Sequence, residues 1–369
     1  MKKFDKNKIR RLLSSAMIPA LFLVVSFIAT PISGLTTDYL LSELVSRLAR
    51  NAFFVLALLL PVTAGMGINF GMTMGAMATQ IALVFVSEWN VSGIPGVLLT
   101  LAIAIPLSGV FGYFGGFILN NSKGREMITS MVLGLFMAAA YQTFLLYVCG
   151  TIIPMHNENV LLSKGYGIRN TLMIPIANSI DNLWKVTFKG VSRLITVPVG
   201  TFLIVGVLCA FIYWFRKTKF GQNIRAVGQD MAISEMSGID VKKNRIAAII
   251  ISTVLAAMGQ IVFLQSIGSM STYGGADQAA LFAAAALLVG GASVSDASNT
   301  NAIIGTVLFH FMFLVMKEAG TNITGQAMIG EYLRSFICYG IITITLIMHA
   351  WKRGRDKELD RELLRERQN

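Results

Sequence analysis

Long apolar runs separated by short polar segments dominate this chain. A helix needs about 20 mostly apolar residues to cross the hydrocarbon core of a bilayer, so runs of this length predict membrane spans. The pattern predicts an all-α, polytopic integral membrane protein with about ten transmembrane or partly spanning helices. The predicted crossings are 16–33, 52–67, 70–87, 97–119, 127–149, 197–215, 246–264, 278–291, 300–317 and 332–350.

The pattern leaves the geometry of two regions open. Almost nothing separates 52–67 from 70–87, and 278–291 is short for a span. Each region fits either continuous crossings or broken, re-entrant helices, which are tolerated only where the backbone is buried in protein or lines a cavity. The segment 36–51 is amphipathic, with leucines at helical spacing, and is predicted to lie along the outer face before the second span.

The distribution of Lys and Arg predicts the orientation. Six of the first eleven residues are basic, which holds the N-terminus in the cytoplasm and makes 16–33 an uncleaved first span. Ten crossings return the C-terminus to the cytoplasm, and the basic segments 120–126 and 216–245 then also face inside. The loop 150–196 falls outside despite its basic residues, and an amphipathic helix is predicted near 180–195.

Composition supports a membrane protein over a soluble one. Only 14% of the residues are charged and 54% are hydrophobic, whereas soluble domains carry about 25% charged residues. The net charge of +12 flanks apolar segments and forms no separate basic domain, which argues against a nucleic-acid partner. We expect one transmembrane domain over 1–350 and a charged cytoplasmic tail over 351–369.

The most informative polar segment is 216–245, which lies between two strongly apolar runs. Its middle part, about 225–238, predicts a short cytoplasmic helix that ends at Gly238, since glycine readily adopts the left-handed conformation of a helix C-terminus. A structured helix in this place suits the docking of a soluble motor protein.

Polar residues interrupt two further apolar segments, 62–80 and 260–280. In the first, glycines recur at 67, 71 and 75, which suits either close helix packing or a broken helix along a substrate path. The second is expected at the outer mouth, as a plain loop or as a contact for solute or a docked protein. Candidate residues of a translocation path are Thr63, Asn69, Thr73, Gln80, Gln260 and Gln265.

The sequence contains no pattern typical of catalysis. The three cysteines, Cys149, Cys209 and Cys338, have no metal-like spacing, and His310 stands alone in an apolar run, as a packing residue would. We predict no catalytic, metal or cofactor site. The phosphate-binding motif GxxxxGK[ST] is absent, so any nucleotide site would lie on another chain.

Three segments resemble the permease subunits of ABC importers of the branched-chain amino acid and ribose family, closest to the simple-sugar and nucleoside branch. GQNIRAVGQDMAISEMSGIDV has the family's G-x-x-I-x-A-x-G and S-G-I-x-V elements. TAGMGINFGMTMGA resembles GGIDLSVG, with Asn69 in place of Asp. ALLVGGASVSDASNTNAIIGTVL resembles a glycine-rich family segment but departs from it at 296–300.

The resemblance implies a set of partners and roles. Two cytoplasmic ABC ATPase subunits would dock beneath, a second permease (self or sister chain) would pair beside, and an extracytoplasmic solute-binding protein would deliver the solute. The chain would reside in the bacterial plasma membrane, in contact with lipid. The residues implied in ATPase coupling are Arg225, Gly228, Glu235 and Gly238.

Two other functions remain open at this stage. An ion-gradient-driven secondary transporter would need no ATPase and predicts ionisable residues inside the spans, which are scarce here. A membrane-embedded enzyme predicts a polar catalytic cluster at one interface. Sugars and nucleosides are the solutes that the resemblance favours, with branched-chain amino acids and other small metabolites as the alternatives.

Overall fold

The computed structural model describes residues 19–190, 194–293, 296–337, 339–340, 343–344 and 347. Its helices are α1 (Pro19–Ser33), α2 (Thr37–Ala57), α3 (Leu59–Thr63), α4 (Thr73–Glu88), α5 (Gly93–Asn121), α6 (Glu126–Thr143), α7 (Val199–Lys217), α8 (Lys219–Gln229), α9 (Met231–Met236), α10 (Val241–Ile267), α11 (Ala279–Val289), α12 (Asn299–Thr324) and α13 (327–337). The predictions for the N-terminal 18 residues, Cys338 and the tail 351–369 lie outside the described residues.

Within the described part of the chain, seven helical stretches are long and apolar enough to cross a membrane. They are Thr37–Thr63, Phe70–Glu88, Gly93–Asn121, Glu126–Val148, Val199–Lys217, Val241–Ile267 and Asn299–Thr324. Two further apolar helices, α1 and α11, are shorter. The fold is thus mostly helical, as the apolar pattern predicts, and the count of ten crossings stays a prediction.

Helix α10 lies at the centre and packs against α2, α4 and α5. Glycines permit the close approach of α5: a methyl group on Gly112 would lie 2.9 Å from the Ile250 Cα, and one on Gly116 would lie 3.2 Å from the Ile246 Cα. Small residues at such contacts let backbones pack closely in lipid, where no hydrophobic force drives helices together. The glycines of α5 therefore serve close packing against α10.

The amphipathic segment 36–51 is not a separate outer-face helix, which corrects that prediction. It continues into the next apolar run as one helix, α2. No residue between 37 and 57 breaks the helix, and local pairs accommodate its polar groups: Arg47 Nε binds Glu43 at 3.0 Å, and the Asn51 amide donates to the Arg47 carbonyl at 2.8 Å. Its second half is buried in the core.

The prediction of a helix near 180–195 is also wrong. Strands β2 (Lys185–Lys189) and β3 (Leu194–Pro198) form an antiparallel pair there, and β1 (Thr171–Met173) pairs with β4 (Ser269–Ser271). The β2 and β3 sequences, KVTFK and LITVP, are rich in β-branched and aromatic residues, which favour strands. The all-α prediction therefore holds for the apolar part and fails for these four short strands.

Candidate translocation and coupling site

The helical backbone is broken between α3 and the turn Phe70–Met72. Gly65 and Gly67 both have a φ of +71°, a conformation that strains residues with a side chain. The Asn69 side chain caps the next turn by accepting a hydrogen bond from the Gly71 amide at 3.0 Å. The broken-helix alternative for 62–80 is thus confirmed, and Gly67, Gly71 and Gly75 do not lie on one continuous helix.

Helix α11 is the second partly spanning element. Eight of its 11 residues are buried, and 11 residues are too few to cross the hydrocarbon core. The Asn301 amide of α12 donates to the Gly290 carbonyl at 2.7 Å and so supports the end of α11. Segment 278–291 is therefore a short, buried helix and not a full membrane crossing.

A cavity of about 700 Å³, termed the larger cavity, lies between the broken helix, α6 and the start of α11. Its walls are mainly apolar, with Met77, Met127, Met131 and Leu281 among them. The polar groups in its described lining come from Thr73, Gln142, Asp277, Tyr339 and Thr343. An apolar chamber with a few converging polar groups is the usual form of a small-molecule site.

The connecting segment 268–278 closes one side of this cavity and is held by α6. The Tyr141 hydroxyl donates to the Thr272 carbonyl at 2.8 Å, and the Gln142 amide donates to the Tyr273 carbonyl at 3.1 Å. Desolvation raises the pKa of the Asp277 carboxyl in this segment, so Asp277 loses its charge more readily in acid than an exposed aspartate does.

The structure separates the six candidate path residues. Thr73 lines the larger cavity, and Asn69 lies just before it at the helix break. Gln80 is fully buried beside the segment 268–278, since a methyl group on Gly275 would lie 2.7 Å from its amide nitrogen. Gln260 and Gln265 lie inside α10, not in an interrupting loop, which corrects that part of the sequence interpretation.

Thr63 and Gln265 lie outside the described lining of the larger cavity. The Gln265 amide donates to the Asp181 carboxylate at 2.9 Å, which ties α10 to the segment before β2. Thr63 donates to the Leu59 carbonyl at 2.6 Å and lies against α8. Both residues therefore contact neighbouring segments of the protein and not the larger cavity.

The predicted single helix 225–238 is two helices, α8 and α9, which corrects its bounds. Asp230 interrupts them with an extended backbone, and its carboxylate accepts hydrogen bonds from the Ala232 and Ile233 amides at 2.9 and 3.0 Å. Aspartate is among the strongest N-cap residues because it satisfies free amides of the first turn. The residue Asp230 therefore ends one helix and starts the next.

The left-handed end at Gly238 is confirmed. Gly238 has a φ of +78°, its amide donates to the Glu235 carbonyl at 3.0 Å, and the Ile239 amide donates to the Ser234 carbonyl at 3.0 Å. These two bonds define a Schellman motif, which fixes the direction in which the chain leaves the helix.

Helix α9 exposes apolar side chains that the sequence analysis missed. Ile233 is 58% exposed and Met236 is 81% exposed, and Glu235 between them is exposed as well. Their i, i+3 spacing within a polar segment is a signal that could have identified them. Exposed apolar residues rimmed by polar ones are typical of a surface that binds another protein.

Gly228 belongs to an internal junction rather than to this exposed surface. A methyl group on Gly65 would lie 2.8 Å from the Gly228 Cα, and one on Gly228 would lie 2.8 Å from the Gly65 amide nitrogen and even closer to the Thr63 carbonyl oxygen. The end of α8 thus packs directly against the helix break that leads to Phe70 and Thr73.

A buried ion pair makes a second connection from α9. Arg245, fully buried near the start of α10, binds Glu126 through Nη2 and reaches the Met231 sulfur through Nη1 at 2.8 Å. Glu126 is the first residue of α6, the helix that lines the larger cavity. In the sequence, Glu126 and Arg245 end the polar segments 120–126 and 216–245, and nothing signals a pairing across 119 positions.

These features define a multi-pass membrane protein with a cavity that is open along α6 and a structured polar segment that contacts the elements around it. Residues 40–346 match the family described as "Branched-chain amino acid transport system / permease component", so the chain belongs to this permease family. It is a membrane subunit of a transport system in the bacterial inner membrane, and not itself an enzyme.

Three curated relatives give the level of similarity. The nucleoside ABC transporter permease protein NupB of Lactococcus lactis is 25% identical over 277 residues, which cover 72% of this chain and 68% of that protein. The galactose/methyl galactoside import permease protein MglC of Haemophilus influenzae is 26% identical, with 62% and 65% covered. The ribose import permease protein RbsC of Escherichia coli is 22% identical, with 91% and 94% covered. No solved structure matches this chain.

Proposed function

We propose that this chain is the membrane subunit of an ABC importer that takes up a small, polar, uncharged solute, a simple sugar or a nucleoside. It works with cytoplasmic ATPase subunits, a second permease and an extracytoplasmic solute-binding protein. The proposal rests mainly on two contacts between the segment 219–238 and the walls of the larger cavity. Gly228 joins α8 to the helix break, and Arg245 joins α9 to α6.

Each part of the segment 219–238 has a role in this proposal. Ile233 and Met236 dock on the ATPase, with Arg225 and Glu235 at the rim of the contact. Movement of α8 pushes the helix break at Gly65, and movement of α9 pulls on Glu126 at the start of α6. Both walls of the larger cavity then shift together, which changes the side of the membrane from which the cavity is open.

The orientation and pairing follow from the same assignment. The segment 219–238 and both termini are cytoplasmic, ten helices cross the membrane fully or in part, and residues 149–198 face the solute-binding protein. Only 17% of the α6 span is buried, against 83% of the span that contains α4, so α6 presents a wide apolar face. We assign part of this face to a second permease and the rest to lipid.

The chemistry of the larger cavity supports an uncharged, hydroxyl-bearing solute. Its hydroxyl and amide groups can donate and accept hydrogen bonds, the Asp277 carboxyl can accept hydrogen bonds from the hydroxyl groups of a solute, and its volume suits a molecule of one or two rings. Relatives named for nucleoside, galactose and ribose transport agree with this class.

The test is uptake by proteoliposomes that contain the permease, its ATPase and ATP inside, with the solute-binding protein outside. We expect uptake of the labelled solute and a rise in ATP hydrolysis when the loaded binding protein is added. Uptake that continues without the ATPase, driven by an ion gradient, would establish the secondary-transporter alternative and reject the proposal.

A further inference from the structure

A second cavity of about 340 Å³, termed the smaller cavity, lies on the other side of α11. It is enclosed by α2, the second half of α10, the segment 268–278, α11 and α12. Phe282 of α11 faces the smaller cavity, whereas its neighbour Leu281 faces the larger one. Helix α11 is therefore a wall that the two chambers share, and they are separate compartments of one chain.

Two buried polar side chains that line the smaller cavity lack hydrogen-bond partners within the described structure. Gln260 is fully buried, and neither its amide nitrogen nor its amide oxygen is bonded. His310 is 6% exposed, and its Nδ1 is unbonded. Leaving a buried polar group without a partner costs about 1–3 kcal/mol, so groups of this kind in a cavity wall are available to bind water or a small polar molecule.

The lining also fixes the chemical class of this ligand. The described lining contains no Asp, Glu, Lys or Arg, so a charged occupant would find no counter-charge in direct contact with it. Asn51, Gln278 and Ser271 add amide and hydroxyl groups that donate and accept hydrogen bonds, and Phe282 is one of three aromatic walls. A small ring that bears several hydroxyl groups satisfies both kinds of surface.

We propose that the smaller cavity is a second binding site, separate from the translocation path, for a small uncharged molecule rich in hydroxyl groups. Gln260 and His310 are its principal hydrogen-bonding residues. The site does not depend on ATP or on a partner subunit, so it can be tested on the permease alone, and its failure would leave the proposed transport function untouched.

The experiment measures protection of an introduced cysteine in membranes that contain the full-length chain with its three native cysteines replaced. Ser271→Cys reports on the smaller cavity and Ala139→Cys on the larger one, since each position is exposed and lines its own chamber. The reagent is the small, neutral methyl methanethiosulfonate. The probes are ribose and adenosine, with gluconate as a charged control.

We expect ribose or adenosine to slow modification of the cysteine at 271, and gluconate to have no effect. Gln260→Leu, which keeps the size and removes the amide, should raise the half-protecting concentration at position 271 by about tenfold or more, because two hydrogen bonds are lost. Thr73→Val, the matched change in the larger cavity, should leave protection at 271 unchanged.

Several results would overturn the proposal. These are an absence of protection at 271 by either uncharged probe, equal protection by gluconate, or equal loss of protection from Gln260→Leu and Thr73→Val. Thermal unfolding without a probe serves as the folding control. Gln260→Leu should not lower the melting temperature, since the replaced amide has no protein partner in the described structure.

Discussion

At the scale of single residues, the contact between Gly228 and Gly65 is possible only because neither residue has a side chain. The end of α8 and the helix break lie so close that a methyl group on either glycine would overlap the backbone of the other segment. Glycine at 228 is therefore required by the tertiary contact rather than by its own backbone angles. Gly206, in α7, is a glycine of the opposite kind, with nothing within 4 Å of an added methyl group.

Gly228→Ala should weaken the coupling between the ATPase and the cavity. The methyl group must push α8 away from Thr63 and Gly65, and overpacking of this kind costs about 1–3 kcal/mol. We expect a fall of about tenfold or more in ATP hydrolysis stimulated by the loaded binding protein, while hydrolysis without it persists. The measurement is the ATPase rate of the reconstituted complex.

Gly206→Ala is the control for this prediction. It makes the same chemical change inside a helix, where alanine is favoured over glycine, and it meets open space. Stimulated hydrolysis should match that of the unmodified protein. Equal coupling in both variants would mean that the junction at Gly228 does not transmit movement.

At the scale of secondary-structure elements, the buried pair Arg245–Glu126 joins three helices. It holds the start of α10 to the start of α6, and the arginine also touches Met231 of α9. A buried ion pair adds little to stability compared with an apolar pair, but removing one partner leaves a charge uncompensated. The pair thus lets stability and coupling be tested separately.

Arg245→Met should destabilise the protein by about 3–5 kcal/mol, because Glu126 is left buried and unpaired. The double variant Arg245→Met with Glu126→Leu should recover most of this loss, since two apolar residues replace the pair. We expect stimulated ATP hydrolysis to stay low in the double variant, because the link from α9 to α6 is gone. Thermal unfolding and ATPase assays measure the two effects.

Glu43→Gln provides the comparison, because Glu43 pairs with Arg47 at 3.0 Å in a more exposed position. This change should alter stability by about 0–1 kcal/mol and leave coupling intact. If the double variant Arg245→Met with Glu126→Leu showed full stimulation of ATP hydrolysis, the buried pair would only stabilise the fold.

At the scale of the whole molecule, the proposal requires opposite faces of the membrane for two exposed regions. Met236 in α9 should be cytoplasmic, and Ile152, which is 77% exposed in the segment 149–198, should be external. A membrane-impermeant maleimide should label Ile152→Cys in intact cells and Met236→Cys only after permeabilisation. Labelling of Met236→Cys from outside would reject the orientation and the docking role of α9.

Cys149 can stay in place during this measurement. It is fully buried, and desolvation raises the pKa of its thiol to about 11, so at pH 7 only about one thiol in ten thousand is the reactive thiolate. Because the pKa is raised, reactivity should increase as the pH rises, by about tenfold per unit up to the pKa. We expect no labelling of Cys149 at pH 7 in either intact or permeabilised cells.

Parts of the candidate site were predictable from local sequence signals. The glycines before Asn69 predicted a break as one of two alternatives, and Gly238 predicted the end of the coupling segment. Asp230 is a strong helix-capping residue, but the predicted single helix over 225–238 leaves this cap out, because an Asp inside a short polar segment has several possible roles. The exposed pair Ile233 and Met236 was visible in the spacing and was overlooked.

Three features were predictable from the amino-acid order alone: the long apolar segments, the position of the central polar segment, and the glycines that allow the backbone to turn. Lipid imposes these features locally, because every spanning backbone must satisfy its own hydrogen bonds within about 20 apolar residues. The packing of the helices sets the contact of Gly228 with Gly65, the pairing of Arg245 with Glu126, and the position of α11 between two cavities. These contacts join residues far apart in the chain, and their geometry depends on how whole helices pack, which the order of apolar residues does not specify.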